Sequence, residues 1–414
     1  MNRSGNLAAS TAVSTALLPL VLLPLALVPA SSARAADAFV ATLSANGESR
    51  TYSYESIEDA IDSVSGTSLR SLLPSYTDNA PATAVFNLRG LGATIEYPGA
   101  GADLVLKVPA AGIERTFTGA TRDEAEDALS DYFKGQGASD VTSILQAAVR
   151  ETAIDPVAGN PDSLMSLMGA ADFAQGTDAL GHSGSEGGTD LFGFTVEGGR
   201  GTAPGGYDQD RVTGALSYRM NFEGSDTAVL FDLPVNWIRT GESDSLSGSL
   251  GIGVRVPLTD SWSLTPAVRA GVAGSIDMGA AAVVYSGSLT SDFRWDWGGW
   301  RFGLGNMAGV YRATGVSVGD YDIDYDLTNV ILRNGVSVSR DLTDSVAPLS
   351  VTASFVDSRY LGDDLFVEAF DEVTVSLAKA ATAGRFRFDR VELGVSYGFG
   401  DDYERIMGKL KLRF

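Results

Sequence analysis

The 414-residue chain carries 52 acidic against 30 basic side chains, a formal charge of −22, which disfavours nucleic acid as a partner. It has no cysteine and a single histidine, so disulfides, thiolate metal sites and cysteine nucleophiles are excluded, and histidine base catalysis has one candidate. Forty-eight glycines and a balanced hydropathy fit strands that face two environments.

Residues 1–35 read as a signal peptide. Arg3 gives a weakly positive start, Leu17 to Val28 an apolar run broken by Pro19 and Pro24, and Ala33-Arg34-Ala35 a small-x-small cleavage signal, so that Ala33 and Ala35 flank Arg34 and the mature chain begins near Ala36. The run is too short and too rich in proline to span as a helix, although it can also be read as an anchor. No later segment is long and apolar enough for a transmembrane helix.

Residues 36–135 read as a small α+β domain. Val40 to Leu43 and Thr51 to Tyr54 flank Asn46-Gly47, a pair suited to the positive-φ turn of a hairpin. Ile57, Ala60, Ile61 and Val64 repeat at helical spacing, and further strands are expected at Ala84 to Leu88, Thr94 to Tyr97, Leu104 to Val108 and Ile113 to Phe117. Thr121 to Glu124 has the form of a capping box opening a helix that stops at Gly135. Its acidic run, Glu124, Glu126, Asp127 and Asp131, is expected to be a solvated face rather than a metal site.

Residues 136–188 form a helical connector and a linker. Val141, Ile144, Leu145, Ala148 and Val149 make one apolar stripe, and after the break at Pro156 to Pro161 Leu164, Leu167, Met168 and Ala171 make another. Gly176 to Gly188 is a flexible Gly/Ser-rich linker. The only histidine, His182, falls there beside Ser183, where nothing rigid would hold a catalytic triad, so no enzyme activity is expected.

From about Thr189 to Phe414 the hydropathy alternates at period two in segments separated by turns. This predicts a transmembrane antiparallel β-barrel of about 12 strands, among them 321–339 and 365–378 and the last at 403–414, and makes the protein mainly β. The turns Glu223–Asp226, Leu258–Asp260, Trp297–Gly299, Asp341–Asp344 and Lys379–Gly384 alternate with mostly longer connections richer in Gly and Asp, and strand parity puts Phe414 on the short-turn, periplasmic side. Trp237, Trp262, Tyr285, Trp295, Trp300, Tyr321, Tyr325 and Tyr403 suit aromatic girdles.

Arg211, Arg219, Arg255, Arg269, Arg301, Arg333, Lys409 and Arg413 are expected to point into the lumen. Two readings stay open: paired with acidic partners they close the lumen, and unpaired they line an anion-selective pore. Asp162, Ser163, Ser166 and Asp172 on the connector are available to meet them. Asp320, Asp322, Asp324 and Asp326 alternate on one face of a strand and are the candidate calcium site, though the Gly and closing Glu of an EF-hand loop are missing; lumen charge balance is the other role. Nothing else in the sequence calls for a metal, and nothing for a cofactor.

In the final strand Ile406, Gly408, Leu410 and Leu412 share one face, and Arg405, Lys409, Lys411 and Arg413 the other, up to the terminal Phe414. This end resembles that of Gram-negative outer-membrane β-barrel proteins, in which Leu410, Leu412 and Phe414 would correspond to the insertion signal. The order of helix then barrel resembles the autotransporter translocator family, in the form of a solitary autotransporter-like barrel, where a helix before strand one sits in the lumen as a plug. Packing of the connector on the preceding domain is the other reading. The chain departs from that family in having no long β-helical repeat and no identifiable passenger protease. What the resemblance implies is an outer-membrane location in the cell envelope, with outer-membrane lipid, the barrel-insertion machinery and periplasmic chaperones as partners. A translocator-like barrel with a reduced N-terminal domain, a passive channel, and a structural or adhesive surface protein are the three functions to be separated.

Overall fold

The computed structural model describes residues 37–134, 137–177, 191–222, 224–275, 277–318, 321–342, 349–383 and 386–414. Ala33, Ala35, His182 and Asp320 lie outside them.

The N-terminal strands β1 (Phe39–Ala45), β2 (Glu48–Tyr54), β3 (Ala82–Leu88), β4 (Leu91–Tyr97), β5 (Leu104–Val108) and β6 (Ile113–Phe117) form one antiparallel sheet in the order β2-β1-β3-β4-β5-β6. Asn46 and Gly47 turn the first hairpin with φ of 50° and 80°, the left-handed pair that matches strand twist. Helices α1 (Ile57–Asp62), α2 (Gly66–Leu72) and α3 (Arg122–Lys134) cover one face, burying Phe39, Leu43, Phe86, Ile95 and Leu104 with Leu69, Ala125 and Leu129. The capping box forms: the Glu124 amide donates to Thr121 Oγ1 at 3.1 Å, and Glu124 Oε2 accepts from the Ala120 amide at 2.7 Å.

One residue of the acidic run departs from the solvated face. Glu126 is buried because α3 turns it, with Arg122, Ala125 and Leu129, toward the sheet. Burial first, then the charges of Asp62, Asp127 and Asp123, push its carboxyl up to about 7. With the folded value above the ordinary 4.5, the native state holds a proton that the unfolded chain releases, so stability falls as pH rises from about 4.5 to about 7. Glu126→Gln is expected to remove this dependence and to stabilise the sheet at pH 8 by about 2 kcal/mol, less than the full shift because nearby water screens the charge. Amide exchange of β3 and β4 in the full-length protein at pH 5 and pH 8 checks it; equal protection in both proteins at both pH values would refute it.

Beyond α4 (Ala138–Glu151) and α5 (Leu164–Thr177) the chain enters the barrel. Its strands are β7 (Leu191–Ala203), β8 (Tyr207–Asn221), β9 (Ala228–Thr240), β10 (Ser243–Pro257), β11 (Trp262–Ser275), β12 (Ala280–Trp297) and β13 (Trp300–Thr314), then, after a small hairpin of β14 (Val316–Val318) and β15 (Tyr321–Ile323), β16 (Leu327–Asp341), β17 (Ser350–Gly362), β18 (Ala369–Ala383), β19 (Phe386–Gly400) and β20 (Tyr403–Arg413). Among the described residues twelve of these close a fully antiparallel barrel, β20 pairing with β7 from Arg413↔Gly193 to Glu404↔Thr202. Phe414 completes the seam, exchanging both backbone bonds with Phe192 at 2.8 and 3.0 Å.

The barrel is apolar outside and polar inside. Leu216, Leu250, Val268, Val272, Val310 and Val336 are exposed on its outer wall, while Arg211, Arg219, Asn236, Arg269 and Thr290 are buried within. Water would not tolerate so continuous an exposed apolar belt, and this inverted arrangement is that of a membrane-spanning barrel. At the rim that holds Phe414, Phe192 lies between Tyr218 (centroids 4.6 Å apart) and Phe414 (6.4 Å), and Trp295 stacks on Phe302. Trp237, Trp262, Tyr285, Trp295 and Trp300 also face outward.

Three readings of the sequence change. Tyr325 and Tyr403 are not girdle residues: both are fully buried, their hydroxyls drawn in by carboxylates of the connector. The segment 321–339 is not one strand, because Asp326 adopts φ of 43° and its amide donates to Asp324 Oδ1 at 3.0 Å, turning the chain before β16. Asp322, Asp324 and Asp326 therefore do not share a strand; Asp322 is in the hairpin, while Asp324 and Asp326 follow it in the turn, Asp326 3.6 Å from Arg312. Leu365 and Val367, expected in a strand, instead lie in the connection before β18. Both are buried, and the amides of Phe366 and Val367 donate to the carbonyls of Val149 and Gly159. Their hydrophobicity serves the junction with the connector rather than lipid.

Candidate functional site: the filled lumen

The two ends of the barrel are unlike. The chain enters β7 beside Phe414, while the N-terminal sheet sits over the opposite rim, where Ile57 bonds Asp277, the Tyr207 hydroxyl meets Asn87, and Gln146 of α4 bonds the Tyr325 carbonyl. Residues 152–163 fill that mouth, every one of them buried. Helix α5 then descends inside the barrel to Thr177, whose carbonyl accepts from Arg294 toward the Phe414 rim.

From Thr152 to Thr177 the only charged side chains are Asp155, Asp162 and Asp172, and each is received by an arginine and a tyrosine. Asp155 Oδ2 accepts from Arg89 Nη1 at 3.1 Å and Tyr325 at 3.0 Å. Asp162 Oδ1 accepts from both Arg211 and Arg405 at 2.6 Å, and its Oδ2 from Tyr403 at 2.7 Å. Asp172 accepts from Arg269 Nε and Tyr311, each at 2.7 Å. The wall extends the pairing: Arg211 reaches Glu197, Arg405 reaches Glu372, and Arg269 grips Asp232 with both terminal nitrogens. Buried charges are tolerable in this geometry because each carboxylate has several donors.

The fit of α5 is made by glycine. It rests against β9 to β13 and β16, where a Cβ added at Gly335 would stand 2.7 Å from Phe173, one at Gly271 2.8 Å from Met168, and one at Gly305 2.6 Å from Thr177. These inward glycines carve a groove that lets a helix lie close to the strand backbone. Beside the groove, between α5 and strands β7 to β9, β16 to β18 and β20, a cavity of about 280 Å³ remains, lined by Leu167, Ala171, Arg219, Arg333, Arg405 and Lys409 among others.

The proposed lumen residues are therefore spread over distinct environments. Arg211 and Arg269 hold the connector, Lys409 lies 3.5 Å from Glu197, and Arg219 is buried beside Asn221. Arg333 is buried over the Phe173 ring at 5.6 Å. Arg255 and Arg413 occupy the lower wall, and Arg301 lies half-exposed at the Phe414 rim, paired with Asp341 at 2.8 Å. Arg405, Tyr311 and the glycine groove were missed from the candidate set. Arg405 falls in the same alternation as Lys409 and Arg413 and was legible from it; the groove was not, since glycines are spread throughout the barrel.

No protein-family model matches the sequence, and no curated protein is similar to it. Solved structures similar in fold include the beta domain of the Bordetella autotransporter BrkA, at 12% identity and a TM-score of 0.44, covering 54% of this chain and 98% of that one. The translocator domain of autotransporter NalP from Neisseria meningitidis follows at 14% identity and 0.41, covering 60% and 94%. An outer membrane channel from Pseudomonas putida F1 gives 10% identity and 0.36, covering 55% and 96%.

Proposed function

We propose that this chain is an outer-membrane barrel that holds its own N-terminal domain at the cell surface, in the manner of a translocator whose passenger is reduced to one small domain. The observation that supports this reading is the separation of the two ends: Phe414 and the start of β7 share one rim, the N-terminal sheet covers the other, and α5 joins them through the lumen. With Phe414 on the periplasmic side, the domain faces outward. The buried Asp155, Asp162 and Asp172 anchors serve in this reading to fix the tether after the domain has crossed. A passive channel is less well served, because a helix seated in a glycine groove occupies much of the bore. A catalytic role forms no part of the proposal.

Because the chain has no native cysteine, single cysteines report orientation without background. Glu114→Cys, on the exposed face of the N-terminal sheet, is expected to react with a membrane-impermeant maleimide in intact cells. Asp226→Cys, in the turn before β9 at the Phe414 rim, is expected to react only after the outer membrane is permeabilised. The reverse pattern would place the domain in the periplasm and overturn the proposal.

A further inference from the structure

We infer that the cavity beside α5 is a binding site for a small planar aromatic carboxylate, held by Arg333. Inside the barrel most buried cations have partners, but among the described residues Arg333 has none. It is 8% exposed, it meets no carboxylate or hydrogen-bond acceptor among the described residues, its Nε is buried unpaired, and its guanidinium lies over the face of Phe173. A guanidinium so enclosed carries a large desolvation cost that an anion would offset.

One carboxylate in the cavity can take a forked pair of bonds from this guanidinium. The carboxylates that also border the cavity are already engaged, Glu372 by Arg405, Asp232 by Arg269 and Glu197 by Arg211.

The rest of the lining sets the body of the ligand. Phe173, Tyr360, Phe370 and Met407 border the cavity together with the small apolar side chains of α5. Arg333 and Arg405 already lie over Phe173 and Phe370, so the site joins stacked guanidinium to aromatic surface. About 280 Å³ suits a single-ring acid and is too small for an oligosaccharide or a folded peptide. This inference does not rest on the orientation of the N-terminal domain.

The test is calorimetric titration of benzoate into the full-length protein in detergent, with benzyl alcohol as the uncharged comparison. Saturable one-to-one binding of benzoate, with benzyl alcohol at least about tenfold weaker, is expected, since the alcohol lacks the charge-assisted pair. Arg333→Met is expected to weaken benzoate by about tenfold or more, and Arg333→Lys by less. Thr374→Trp, which fills the cavity while leaving Arg333 in place, should abolish binding and serves if the arginine variants do not fold. Arg301→Ala, at the rim, should bind as the parent does. No saturable binding, equal affinity for the alcohol, or unchanged affinity in Thr374→Trp would overturn the inference.

Discussion

A chain beginning at Thr189 is expected to conduct ions several-fold better than the full-length protein, with Asp162→Ala falling between them. The truncation removes α5 and residues 152–163 together, leaving the wall cations facing water. Asp162→Ala keeps the helix but leaves Arg211 and Arg405 without the carboxylate they share, and it strips Tyr403 of its acceptor. Breaking a buried pair from one side costs about 3–5 kcal/mol, and here Glu197 and Glu372 stay behind to compensate part of it. The connector should therefore loosen without unfolding the barrel, whose strand hydrogen bonds are untouched. Single-channel recordings of the three proteins check the order. Equal conductance of the truncated and full-length chains would mean that α5 does not set the barrier to ions.

Deleting Phe414, or replacing it with Ser, is expected to reduce assembled barrel in the outer membrane severalfold. Phe414 does two things at the seam. Its backbone adds the last two hydrogen bonds between β20 and β7, and its ring packs on Phe192 and edge-on to Phe388. Deletion loses both contributions, whereas Phe414→Ser keeps the backbone bonds and loses the aromatic contact, so it separates closure of the barrel from recognition of the aromatic end. Heat-modifiable mobility of the envelope fraction reads the outcome, and unchanged amounts of folded barrel in both variants would refute it. Leu410 and Leu412 share the outward-facing register of this strand, and Leu412 pairs with Phe194.

The sequence by itself determined the barrel. Period-two alternation is imposed by a wall with lipid on one side and water or protein on the other, so each strand carries its own local record of which way its residues point. The same holds for the Asn46-Gly47 hairpin and the capping box at Thr121, which are satisfied by neighbours close in sequence. Even the inward direction of Arg211, Arg269 and Lys409 was legible, because parity fixes it.

Only the tertiary structure decided what those charges meet. Asp172 and Arg269 are 97 residues apart and Asp162 and Tyr403 are 241 apart, and no local pattern links them. The errors share that origin: Tyr325 and Tyr403 look like girdle residues, and Leu365 and Val367 like strand residues, until the connector lies against them. Their burial is a property of what fills the barrel's mouth, as is the seating of α5 on one wall. That seat depends on the coincidence of Gly271, Gly305 and Gly335 at the places where Met168, Thr177 and Phe173 approach, since a missing side chain has meaning only where another chain segment takes up its space.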